Sequence, residues 1–84
     1  MIICNGSVAL KGHPLLEKVD IRVEDGRIVE IGSKLLRKND EEVLDVEGLM
    51  VMPGAIDPHV HFDTPGFETR ESFLRGSAEA AKGG

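Results

Sequence analysis

Asp25-Gly26 lies between two runs that alternate apolar and polar residues, and this combination constrains the fold of the 84-residue chain more than any other local feature. The favoured two-residue hairpin turn needs positive φ at both centres, which Gly supplies freely and Asp tolerates. Before the turn, Val19, Ile21 and Val23 fall on one face of a strand, and Asp20, Arg22 and Glu24 fall on the other. After it, Arg27 to Ile31 reads as the return strand, with Val29 and Ile31 facing inward.

The flanking segments extend the same pattern. Met1 to Asn5 is an apolar strand, Gly6-Ser7 breaks it, and Val8 to Leu10 resumes it before a loop at Lys11 to Pro14. Gly32 to Asp40 is a polar connection read as a solvated loop. Glu42 to Glu47 alternates again, with Leu44 and Val46 on the buried side, and Glu47-Gly48 turns the chain into Leu49 to Met52. These runs predict a small antiparallel sheet with one apolar face.

The pattern changes at Pro53-Gly54. Ala55 to Phe62 is predicted as one more strand, Asp63 to Phe67 as a loop, and Glu68 to Lys82 as a helix. Phe73, Leu74, Ala78 and Ala81 fall at helical spacing, acidic residues occupy the predicted first turn, and Gly83-Gly84 supplies the stop. Strand, loop and helix make the first unit of an α/β layer. Such a unit packs against a second parallel strand, so the chain is expected to be the opening portion of a larger protein.

Composition narrows the classes of function. With 40% hydrophobic and 30% charged residues and a net charge of −5, the chain is an ordinary globular sequence. An acidic balance without basic clusters argues against nucleic acid and anionic membranes as partners. No apolar run approaches the roughly 18 residues of a membrane span, and no signal peptide opens the chain. The single cysteine, Cys4, reads as a small apolar strand residue, and a reducing cytoplasm is the expected compartment.

Within the predicted strand, His59 and His61 are two positions apart and therefore share a face. Same-face neighbours lie roughly 6.5 Å apart along a strand, so two imidazoles leaning together can hold one divalent ion. Asp57 shares that face, where it can orient a histidine ligand or hydrogen-bond the nearby backbone. His13, in a polar loop, reads as a solvated residue.

The stretch Pro53-Gly54-Ala55-Ile56-Asp57-Pro58-His59-Val60-His61-Phe62, with Pro65-Gly66 and the Gly76 to Gly84 run Gly-Ser-Ala-Glu-Ala-Ala-Lys-Gly-Gly, closely resembles the amidohydrolase superfamily. The likeness is to its dihydroorotase, allantoinase and hydantoinase group. It implies an α/β protein, a (β/α)₈ metal-dependent hydrolase barrel accompanied by a small β-sandwich domain. Residues 1–52 would form part of the sandwich, and 53–84 the first strand, loop and helix of the barrel.

The resemblance further implies one or two Zn²⁺ ions, with His59 and His61 as the two ligands from the first barrel strand. It also implies attack of a metal-activated hydroxide on the carbonyl of a cyclic amide, imide or ureide. The family's carboxylated lysine, further histidines and aspartate base have no matching position here, so no catalytic residue falls within the chain. The remaining ligands would come from later strands, and the expected protein partner is the remainder of its own polypeptide or, in a homo-oligomer, further copies. The 84 residues alone are accordingly expected to be inactive and prone to association.

Asp63 bears on substrate. Dihydroorotases typically carry an arginine there that grips the substrate carboxylate, whereas hydantoinases often carry an aspartate, and Asp63 therefore points to a neutral cyclic ureide or imide. Pro65-Gly66 is closer to the dihydroorotase and allantoinase loop. The rival to an enzyme is a catalytically inactive homologue or fragment that serves as a scaffold or interaction module.

Overall fold

A computed structural model describes residues 1–62, 65–66 and 72–84. In it, Asp25 and Gly26 adopt φ of 50° and 71° and close the hairpin between β4 (Asp20–Glu24) and β5 (Arg27–Gly32), with Glu24 opposite Arg27. Positive φ at both turn residues matches the right-handed twist of the flanking strands. The chain divides into two compact units, Met1–Pro53 and Gly54–Gly84.

The first unit holds two sheets, where a single antiparallel one was expected. One has the order β5-β4-β1-β6 and the other β3-β2-β7, with β1 at Ile2–Cys4, β2 at Ser7–Val8, β3 at Glu17–Lys18, β6 at Val43–Asp45 and β7 at Met50–Val51. The β1–β6 and β2–β7 pairs are parallel. The cause lies at Asn5-Gly6. Asn5 takes a φ of 65°, and the N-terminal run passes there from one sheet into the other. The 43–51 run makes the same passage beside it through the turn at Gly48, with Val46 donating its N–H to Cys4 O and Ser7 donating to Leu49 O.

This close pairing requires a glycine at position 6. A Cβ there would lie 2.8 Å from Val46 Cγ2 and 2.9 Å from Val51 Cγ2. Ile2, Cys4, Val8 and Ile21 form the buried core, so Cys4 is a packing residue. Leu44, expected inside, is 47% exposed, because it pairs in register with Ile3 while Ile2 and Cys4 turn to the core. Val46 is half-buried.

Val29 and Ile31 were expected to face inward together, and a bulge prevents it. Arg22 pairs with Glu30 and Val23 with Ile28, which leaves Val29 without a partner in the register. An extra residue shifts the side-chain phase of the bulged strand. Ile28 therefore joins Ile31 in lining an apolar hollow of about 190 Å³ with Val8, Leu10, Ile21 and Val51, and Val29 does not line it.

Arg22 departs furthest from the alternation pattern. Expected on the solvated face, it is only 5% exposed. Its guanidinium donates to Glu41 Oε1 at 2.8 Å, to Leu36 O at 2.5 Å and to the Glu30 carboxylate. Asp20 accepts the Leu35 N–H at 2.9 Å, and Glu24 pairs with Lys38 at 2.5 Å. All three polar residues of β4 thus strap down the connection that follows β5, so both faces of this strand are covered.

The second unit differs from expectation over Ala55 to Phe62, which contains no strand. A strand is defined by its ladder, and no partner for this segment occurs among the described residues. Ala55 N–H donates instead to Gly84 O at 2.5 Å. The helix α1 spans Phe73–Gly83 and starts later than predicted, because Ser72 caps it by accepting the Arg75 N–H at 3.2 Å.

Its first turn contains no acidic residue, and the predicted start at positions 68–71 lies outside the described residues. Gly84 closes the helix at a φ of 93°, and Lys82 occupies the last turn, where a cation complements the helix dipole. Phe73 packs edge-on against Phe62 with ring centroids 5.1 Å apart. Leu74, assigned to the apolar stripe, is 80% exposed, and Gly76 is the buried position of the helix.

Candidate metal site

Asp57-Pro58-His59 forms a local turn in which Asp57 Oδ1 accepts the His59 backbone N–H at 3.0 Å. An aspartate commonly closes such a turn on the residue two places ahead, and Pro58 between them has a fixed φ and no N–H to compete. The expected orienting action of Asp57 is thus directed at the backbone of His59, while the imidazole finds another partner.

That partner is His61. The two Nε2 atoms approach to 2.9 Å, with ring centroids 5.0 Å apart and planes inclined at 37°. The spacing of two positions brings the rings together although the segment is not a strand. At this separation one ring nitrogen can donate its proton to the other, with the direction set by the tautomers.

A divalent ion fits in place of that proton. Two nitrogens bound tetrahedrally to zinc at about 2.05 Å would lie about 3.3 Å apart, so the pair need open by only a few tenths of an ångström. Both rings are exposed and reachable from solvent. Two imidazoles leave a catalytic zinc site one protein ligand short. Among the described residues no group of three or more His, Cys, Asp or Glu side chains surrounds a common point.

Asp63 lies outside the described residues. His13 sits in the first unit, where its Nδ1 meets Glu17 Oε1 at 3.3 Å. One feature escaped the sequence: a polar hollow of about 320 Å³ lined by Asn5, Lys18, Asp20, Ser33, Lys34 and Glu47. Its charges balance and its lining comes from separated segments, so no local pattern marks it. No described helix is long and apolar enough to cross a membrane.

No family model matches the chain. Curated relatives do. The chain is 42% identical over 84 residues to a dihydroorotase of Syntrophotalea carbinolica, covering all of this chain and 20% of that protein. It is equally identical over 84 residues to a dihydroorotase of Carboxydothermus hydrogenoformans, 19% of which is covered, and 48% identical over 69 residues to one of Anoxybacillus flavithermus, covering 82% of this chain and 16% of that protein. The chain spans about a fifth of the length of these relatives.

Among solved structures, a D-hydantoinase matches with a TM-score of 0.66 and 38% identity over 76% of this chain and 13% of that chain. A D-hydantoinase (dihydropyrimidinase) from Thermus sp. matches with a TM-score of 0.64 and 38% identity over 79% of this chain and 14% of that one.

Proposed function

This chain is homologous to the cyclic amidohydrolases, the dihydroorotase and hydantoinase group, and from that premise we propose that it carries the two-histidine metal arm of an enzyme that hydrolyses the C–N bond of a cyclic amide, imide or ureide. The observation that carries this is the convergence of His59 and His61, whose Nε2 atoms meet at 2.9 Å. Names on both sides of the comparison support the reaction class, since dihydroorotases and hydantoinases alike open cyclic amides.

His59 and His61 would hold a divalent ion, Zn²⁺ by preference for nitrogen ligands, through their Nε2 atoms. Such an ion supplies Lewis acidity toward the amide carbonyl and lowers the pKa of water toward about 7. The chain's own contribution is to keep two imidazoles converged and open to solvent, next to the turn that Asp57 closes. The rest of the ligand set would come from beyond the described residues. Residues 1–52 would serve as part of a small β-sandwich and 53–84 as the opening of a (β/α)₈ barrel, which the two structural neighbours support. A lone buried cysteine, free of any disulfide, is in keeping with a cytoplasmic enzyme.

Asp63 bears on the substrate, as a carboxylate that would disfavour a carboxylate-bearing ring and favour a neutral ureide. The test is metal content and turnover of dihydroorotate, hydantoin and dihydrouracil by the polypeptide that contains these residues. His59→Ala and His61→Ala are each expected to remove metal and hydrolysis together. Full metal and full turnover in either variant would refute the assignment, and a metal-free, inactive parent protein would favour a scaffold role.

A further inference from the structure

We propose that Asp57 is a positioning residue for the histidine pair and that it acts through the backbone N–H of His59, not through an imidazole ring. The inference rests on the metal reading above and deepens it.

The contact is specific. Asp57 Oδ1 accepts the His59 N–H at 3.0 Å, across a proline whose ring fixes φ and which offers no competing donor. Proline also biases the residue before it toward extended backbone, so Asp57 is itself held in a narrow range. Three consecutive residues therefore close into a rigid turn that sets where the Cα–Cβ bond of His59 points. His61 follows after one residue, and the two rings meet with their Nε2 atoms 2.9 Å apart. An ion held between these atoms requires both rings to stay converged, and rotation of the His59 backbone would separate them.

The chemistry of this contact differs from that of a carboxylate bonded to a ring N–H. A backbone donor needs only a planar oxygen acceptor at the right place, and an asparagine side chain supplies one without charge. A carboxylate that polarised an imidazole would need its negative charge. Asp57→Asn and Asp57→Ala therefore separate the two roles.

The experiment uses the full chain with Co²⁺ alone as the metal probe, and reads two quantities: hydrogen exchange at the His59 amide without metal, and Co²⁺ affinity. Asp57→Ala is expected to speed exchange at His59 and weaken Co²⁺ binding, each by roughly five- to tenfold, the scale of one lost hydrogen bond. Asp57→Asn is expected to stay within about twofold of the parent on both. Loss of Co²⁺ affinity in Asp57→Asn equal to that in Asp57→Ala would overturn the proposal in favour of a charge effect, and so would an Asp57→Ala variant unchanged in either quantity. A parent chain that binds no Co²⁺ would overturn the metal reading and this inference with it, and is told apart because the parent alone reveals it. Should Asp57→Ala fail to fold, Asp57→Asn decides the matter, since a charge role predicts its failure and the backbone role its rescue.

Discussion

Arg22 and Glu41, nineteen positions apart, form an ion pair at 2.8 Å with side chains only 6% and 5% exposed. Glu41 also accepts the Lys38 N–H at 3.0 Å, while the other arm of Arg22 takes Leu36 O. A buried guanidinium needs its donors satisfied, and here Glu30 on β5 together with Leu36 and Glu41 in the connection that follows satisfies them. The strap and the strand beneath it therefore depend on each other.

The pair gives the first unit a defined acid sensitivity. The hydrogen bond from Arg22, then that from the Lys38 backbone, holds the Glu41 carboxyl below its usual range, and Lys38 does the same for Glu24. A depressed folded-state pKa contributes stability that is present above the unfolded value of about 4.3 and is lost as pH falls through the folded value. Thermal melts by circular dichroism should show Tm falling between about pH 5 and pH 2. Glu41→Gln should start lower and fall less steeply, and parallel curves for the two proteins would count against the pair as a source of this dependence.

Ile2 is 1% exposed at the centre of the core. Truncating a fully buried isoleucine removes transfer free energy and leaves a cavity, at a cost of about 2–5 kcal/mol. A unit this small has little stability to spare. Ile2→Ala should therefore lower the urea midpoint sharply or abolish the cooperative transition, whereas a midpoint within experimental error of the parent would contradict the burial of this residue.

Gly6→Ala places a methyl group against Val46 Cγ2 and Val51 Cγ2, at 2.8 and 2.9 Å. Both neighbours are β-branched and stiff at χ1, so neither can swing away cheaply. A destabilisation of about 1–3 kcal/mol is expected, the usual scale of overpacking. Adding Val46→Ala should return part of it. A double variant as unstable as the sum of the two singles would mean that the clash is not the cause.

Asp63→Arg, made in the whole polypeptide, should raise kcat/KM for dihydroorotate relative to hydantoin. Two carboxylates about 4 Å apart repel by about 4 kcal/mol at an effective dielectric of 20, and arginine reverses the sign. Steady-state kinetics on both substrates measure the ratio, and an unchanged ratio would remove position 63 from substrate choice.

Several features were legible because they depend on residues adjacent in the chain. Asp25-Gly26 demands positive φ twice, and the hairpin follows. His59 and His61 are two positions apart, and the local turn closed by Asp57 lets their rings meet without a strand ladder. The helix stop at Gly83-Gly84 follows from glycine's freedom at the cap, whereas the start at Ser72 was not legible, because it rests on a side-chain bond to the Arg75 N–H.

By itself, then, the sequence determined the turns, the change of pattern at Pro53-Gly54 and the pairing of the histidines, since each rests on dihedral limits or spacing within a few residues. Only the tertiary structure decided that β1 and β2 enter different sheets, that Val29 bulges out of register, that Arg22 is buried beneath the strap and that Ala55 to Phe62 carries no ladder. Those outcomes depend on which distant backbone groups and charges find partners. Alternation of polar and apolar residues cannot specify such partners, because it records which face a side chain occupies and not what comes to cover that face.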